Sequence, residues 1–222
     1  MSESVAKSAP PQSGFTLLEL LIVIAILGML AGVLVEGTGA VVDAQKKRTA
    51  PQELDEIAKA LDAYYYDVGA FPAALTSAGF YGAYVLPGYD DNLIKDEWGT
   101  KTYYRYVQTG TNPDVVVVYG LGPDDIDSGP AAETWKVTVF GAAPGTRRTR
   151  ERLQRISAAI ADHLGNGGTL SGTWSAWITA MALAPSVQTD GFNTPFRVDA
   201  DGRTVRSAGP DRTFDTADDL TL

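Results

Sequence analysis

Gly14-Phe15-Thr16-Leu17-Leu18-Glu19-Leu20 opens an apolar run that continues to Val35, and the reading of that run decides how the rest of the chain is organised. Phe15 to Val35 is 21 residues with one ionisable side chain, Glu19. At a rise of ~1.5 Å per residue this makes about 31 Å of helix, close to the ~30 Å thickness of a bilayer's hydrocarbon core. A charge at that depth costs on the order of 2.5–3.5 kcal/mol, so the carboxylate needs a partner. Cleavage after Gly14 would create one. The new α-amino group of Phe15 lies one helical turn before Glu19, and a neighbouring subunit could offer the same amine. Residues 1–14, polar with Pro10-Pro11, then read as a removable leader.

Gly14, Phe15, Thr16, Leu17, Leu18 and Glu19 resemble, one by one, the class III signal of type IV pilins and type II secretion pseudopilins. The resemblance implies cleavage by a prepilin peptidase after Gly14, N-methylation of Phe15, and assembly into a filament through the apolar helix. Two other readings compete. A secretory signal peptide would have a shorter apolar region and a small-x-small cleavage site, for which Thr38-Gly39-Ala40 is a weak match. An ordinary single-span anchor is the second. The charge balance cuts against the pilin orientation, because Lys7 stands before the run and Lys46-Lys47-Arg48 after it. The motif outweighs that count.

The 222 residues carry a formal net charge of -9 and a pI near 4.6, which argues against nucleic acid as a main partner. No cysteine is present, so no disulfide clamps the chain. About 185 residues follow the apolar run, enough for one large or two small lobes.

Gly37 and Gly39 should weaken the helix where it leaves the membrane, and Pro51 should start or kink the next one. Leu54, Ile57, Ala58, Leu61 and Tyr65 recur at helical spacing, ending near Gly69. Lys101 to Val107, Asp114 to Tyr119 and Thr134 to Phe140 read as strands. Residues 141–145 read as a linker. Leu153, Ile156, Ile160 and Leu164 then repeat the helical spacing, Trp174, Trp177, Ile178 and Met181 give a short apolar stripe, and Phe196 to Ser207 reads as a hairpin turning at Asp201-Gly202.

The two halves resemble each other. Leu54, Ile57, Leu61 and Tyr65 match Leu153, Ile156, Ile160 and Leu164. Asp96-Glu97-Trp98-Gly99 matches Asp190-Gly191-Phe192-Asn193, and Gly122-Pro123-Asp124 matches Gly209-Pro210-Asp211. The expected architecture is therefore α+β: a long N-terminal helix, first transmembrane and then amphipathic, packed on a small antiparallel sheet, with a second, smaller α+β repeat. The expected boundaries are a leader at 1–14, an assembly helix at 15–36, stem and first lobe at 37–140, the linker, and a second lobe at 146–222.

Asp211, Asp218 and Asp219 crowd one short loop, with Asp215 as a fourth candidate. Carboxylates without nearby nitrogen or sulfur ligands suit calcium rather than zinc or copper. The stretch is similar to the C-terminal calcium loop of the major pseudopilins of type II secretion, and Asp211, Asp218 and Asp219 fall on that family's ligand positions. Arg212 and Asp215 stand where the family carries glycine. The competing reading is a solvated acidic loop. In the first copy Asp124 lacks the distal pair, having Ala131 and Ala132 instead, so Asp124 and Asp127 mark a degenerate loop. His163 reads as a surface residue. Arg147, Arg148, Arg150, Arg152 and Arg155 form a basic helix start, either solvated or docked on an acidic partner.

The function expected from this pattern is that of a structural filament subunit rather than an enzyme. It would be inserted in the inner membrane with its lobes in the periplasm, and its partners would be other pilin-like subunits, the prepilin peptidase and an inner-membrane assembly platform. The alternatives are a minor or tip subunit acting as an adhesin through Trp174 and Trp177, and, with least support, an anchored hydrolase.

Overall fold

The computed structural model describes residues 17–85, 94–98 and 103–222, with only the main chain at 30–38 and 40. Gly14 and Phe15 lie outside the described residues. The chain divides into two compact units, Met1–Lys47 and Arg48–Leu222.

Helix α1 spans Leu17–Val68. The expected weakening at Gly37 and Gly39 does not end it. Each glycine costs about 1 kcal/mol of helix propensity, which a 52-residue helix absorbs. Pro51 lies inside it. Within the first unit, every described side chain from Leu17 to Met29 is exposed.

In the second unit α1 buries one stripe: Ala50, Leu54, Ile57, Leu61 and Tyr65, at spacings that keep one face inward. That stripe packs on Leu75, Phe80, Val85, Ile94, Tyr104, Val116, Val118 and Val139. Val116, Val118 and Val139 come from an antiparallel sheet of β1 (Arg105–Thr111), β2 (Asp114–Tyr119) and β3 (Lys136–Phe140), with β2 in the centre. Val116 and Val118 face α1, while Val117 and Tyr119 pack with Leu121 on the other face. Burial on both faces is why β2 reads as an uninterrupted apolar run. β1 lies four residues later than expected, because its pairing of Thr111 with Asp114 fixes the register across a tight turn.

Residues 141–145 are not a linker. They form the entry and first turn of α2 (Ala142–Gly165). Pro144 falls among the first N–H positions of a helix, which have no intrahelical partner in any case. Gly141 and Gly145 are there for contact: a Cβ on the first would strike the Tyr65 ring, and one on the second the Phe192 ring. Downstream lie α3 (Trp174–Ala180), a 3-10 turn at Pro185–Val187, and a second antiparallel sheet. Its strands are β4 (Arg197–Val198), β5 (Val205–Ser207) and β6 (Leu220–Thr221), in that order. Leu153, Ile156, Trp174, Trp177, Leu183, Val187, Phe196 and Val205 make a second core. Leu164, paired with Tyr65 by spacing, is exposed instead. It sits at the last turn of α2, past the packed face. The fold is α+β, with a helix packed on each of two small antiparallel sheets.

Candidate functional site

Two regions carry the expected function. The first is the start of α1. Glu19 lies in its first turn, on a segment where Leu17, Leu18, Leu20, Leu21, Ile22, Val23, Ile24, Ile26, Leu27 and Met29 are all at least 47% exposed. Full burial of such side chains contributes about 1.5–3 kcal/mol each, and together they outweigh the cost of the single carboxylate several times over. The segment is built to be covered. Among the described residues, which include only part of the Phe15–Val35 run with its side chains, no helix is long and apolar enough to cross a membrane.

The second region is the loop from Ser207 to Asp219. Gly209 has φ +67, and a Cβ there would strike the main chain of Asp218, so the loop doubles back tightly at Gly-Pro-Asp. Asp218 Oδ2 accepts from the Asp211 N–H (3.1 Å), and Asp211 Oδ1 from the Thr213 N–H (2.7 Å). Thr216 Oγ1 lies between the two adjacent carboxylates, 2.6 Å from Asp218 Oδ1 and 3.4 Å from Asp219 Oδ1. Asp219 Oδ2 accepts from the Asp215 N–H (2.9 Å) and faces Arg206 at 3.4 Å. Asp215 is clamped by Arg197 (2.6 Å), whose guanidinium lies over the Phe214 ring.

Guanidiniums and hydrogen bonds act on these acids. The Arg197 hydrogen bond holds Asp215 below the usual carboxylate range, as Arg206 does for Asp199. Asp218 is also held low, by hydrogen bonds from Thr216 and Asp211 that outweigh its burial. Among the described residues no group of three or more His, Cys, Asp or Glu side chains is placed to hold a metal ion. Asp211, Asp218 and Asp219 share one loop, and as arranged each accepts from donors of the chain itself. In the first copy, Asp127 accepts from Arg105 Nε (3.3 Å), the Tyr119 hydroxyl (3.1 Å) and the Gly129 N–H (3.1 Å), while Asp124 caps the Ile126 N–H (3.4 Å). That loop too is closed by the chain's own donors.

Arg212 does what spacing did not reveal. At φ +55, in a conformation that favours glycine, it reaches out of the C-terminal loop into the first sheet. Its guanidinium donates to Asp114 Oδ2 (2.5 Å), Thr111 O (2.5 Å), Asn112 Oδ1 (2.6 Å) and Phe192 O (3.2 Å). The Tyr65 hydroxyl donates to the same Asp114 oxygen at 2.7 Å. One buried carboxylate thus joins stem, first sheet and last loop. Burial, with the hydrogen bond to Asp114 next, pushes the Tyr65 phenol well above its ordinary value.

Asp96 and Asp190 form a matched pair of buried acids. Asp96 accepts from the Trp98 N–H (3.2 Å) and the Leu121 N–H (2.5 Å). Asp190 accepts from the Phe192 N–H (2.9 Å), the Thr194 N–H (2.8 Å) and the Ser207 hydroxyl (2.7 Å). In each, an aspartate two residues before an aromatic ties its turn to the strand end ahead of Gly-Pro-Asp. The shared Asp-x-aromatic spacing was the legible signal. His163 lies on α2 with Nε2 3.3 Å from Thr169 O. Trp174 and Trp177 are buried, at 7% and 2% exposure, and belong to the second core rather than forming the exposed contact surface expected.

Residues 10–35 match the prokaryotic N-terminal methylation motif, and residues 38–137 match the protein G family of the type II secretion system. The type II secretion system core protein G of Pseudomonas aeruginosa is 34% identical over 130 residues, covering 53% of this chain and 88% of that protein. Those of Vibrio cholerae and Klebsiella pneumoniae are each 30% identical, covering 55% and 52% of this chain and 88% and 87% of theirs. No solved structure matches the chain. The second core and the whole of α2 lie beyond the matched family region. With its methylation motif leading into a stem and sheet of that kind, the chain belongs to the type II secretion system core protein G family.

Proposed function

We propose that the chain is a structural subunit of a type II secretion pseudopilus: trimmed after Gly14 by a prepilin peptidase, N-methylated at Phe15, and packed into a filament through α1. The carrying observation is the methylation motif running directly into an apolar helix exposed on all its described side chains from Leu17 to Met29. Before assembly that segment anchors the chain in the inner membrane, with the lobes on the periplasmic side. In the filament Glu19 pairs with the Phe15 amine of a neighbouring copy, which neutralises the carboxylate and sets the axial register. Intact and N-terminal mass spectrometry of the native protein tests this. The expected terminus is methylated Phe15; a chain retaining Met1 to Gly14, or beginning after Ala40, overturns it.

Calcium in the C-terminal loop is proposed on donor chemistry. Asp218 and Asp219 both approach the Thr216 hydroxyl, a point a hard cation could take if the two acids released their present donors.

A further inference from the structure

The basic start of α2 is not a solvated face throughout. Arg148, Arg152 and Arg155 recur at i, i+4 and i+7, one stripe of the helix, and line a cleft of about 220 Å³ with Tyr66, Asp67, Glu151 and Ser186. In a chain of formal net charge -9, none of these three forms an ion pair among the described residues, whereas Arg105, Arg147, Arg197, Arg206 and Arg212 all do. The two carboxylates of the lining each accept from a tyrosine, Glu151 from the Tyr66 hydroxyl and Asp67 from the Tyr84 hydroxyl (2.7 Å), and two acids against three guanidiniums leave the cleft with an excess positive charge. Arg152 is 7% exposed and spends Nη1 on the carbonyls of Thr189 and Asp190, both at 2.8 Å. Arg148 Nη1 is buried with no hydrogen-bond partner at all.

A buried guanidinium nitrogen without an acceptor is costly, and three like charges on one stripe add repulsion. Burial pushes Arg148 below its ordinary value, and burial together with the Arg148 charge pushes Arg152 down to about 10. An incoming oxyanion would relieve the repulsion by neutralising the stripe. Guanidiniums meet phosphate and carboxylate through paired N–H groups, so either fits the same fork. We propose that this cleft is an oxyanion site that takes one phosphate or carboxylate group.

The test uses the full chain in detergent micelles, melted by tryptophan fluorescence against inorganic phosphate or sodium glutamate, with chloride at matched ionic strength as reference. At about 100-fold over Kd a bound anion raises Tm by about 5–10 °C. Saturation by phosphate alone identifies a phosphate site, and by glutamate a carboxylate site. Arg155→Gln, at an exposed position, should raise the half-saturating concentration at least about tenfold, and Arg148→Met should do the same. Arg150→Gln, outside the cleft, should leave it unchanged. No saturable shift with either anion overturns the proposal, as does an undiminished response in Arg155→Gln.

Discussion

Replacing Arg212 by alanine should loosen the whole Arg48–Leu222 unit rather than its last loop alone. The side chain is 26% exposed and its partner Asp114 8%, so the pair is largely withdrawn from water. Removing one member of a buried pair costs about 3–5 kcal/mol, since the other charge is left uncompensated. The partial exposure of Arg212 places the loss near the lower end, about 3 kcal/mol, because water reaches part of the vacated space. For a unit of this size each kcal/mol moves Tm by about 2–4 °C, giving a fall of about 6–12 °C.

A double-mutant cycle separates the pair from the loop. Asp114→Asn keeps an acceptor for the Tyr65 hydroxyl while removing the charge, so its own cost falls mainly on Arg212. The double variant Asp114→Asn/Arg212→Ala should be less destabilised than the sum of the singles by about 2–3 kcal/mol. Melting of the full chain in detergent micelles, followed by tryptophan fluorescence, reads all three variants. An Arg212→Ala melt within about 1 °C of wild type, or a cycle additive within about 0.5 kcal/mol, would refute the view that this bridge fastens the last loop to the first sheet.

Gly191→Ala should destabilise more than Gly145→Ala, because its Cβ strikes the main-chain carbonyl of Gly145 whereas the other strikes the edge of the Phe192 ring. Overpacking costs about 1–3 kcal/mol where a side chain can shift and more where it cannot, and the order of the two Tm values decides it. Burial raises Asp190 above the usual carboxylate range, so the folded state holds that proton to higher pH than the unfolded chain. Its contribution is fully present below the unfolded value and is lost as pH rises through the folded one; the stability of wild type relative to Asp190→Asn should therefore decline as pH rises above the ordinary carboxylate range, and a flat difference refutes this. If calcium occupies the C-terminal loop, excess chelator lowers the Tm of the full chain and Asp218→Ala abolishes that response. An identical melt with and without chelator removes the ion.

The stem was legible because Leu54, Ile57, Leu61 and Tyr65 follow a single helical period and all four are buried. The central strand was legible because burial on both faces leaves it no polar position after Asp114. Residues 141–145 misled for a physical reason: glycine and proline usually punctuate loops, but here they serve close approach to two aromatic rings and an N-terminal turn that needs no proline N–H. Trp174 and Trp177 looked available because their helix is only seven residues long, too short for periodicity to reveal which face turns inward. β6 spans two residues and has no pattern to read. In the candidate loop, spacing placed the aspartates near one another but could not tell where each carboxylate would point. Arg212 was visible only as a departure from glycine; its reach to Asp114 is a contact across 98 positions that no local pattern encodes.

That contact also explains how a second α+β layer can be added to a stem-and-sheet subunit without a flexible joint. The family match ends within β3, and the chain passes through Gly141 straight into α2, against the Tyr65 ring. Asn193 Nδ2 then donates to Val68 O (3.0 Å), capping a carbonyl that the end of α1 leaves without a helical partner. Phe192 lies 6.5 Å from Tyr65 ring to ring, and Arg212 closes on Asp114, which Tyr65 already holds. Every one of these ties converges on the last turn of α1 and the end of the first sheet where β1 turns into β2. The addition therefore draws on groups at a helix end and a strand turn, and without a cysteine in the chain it replaces a covalent clamp with a buried carboxylate shared by three elements.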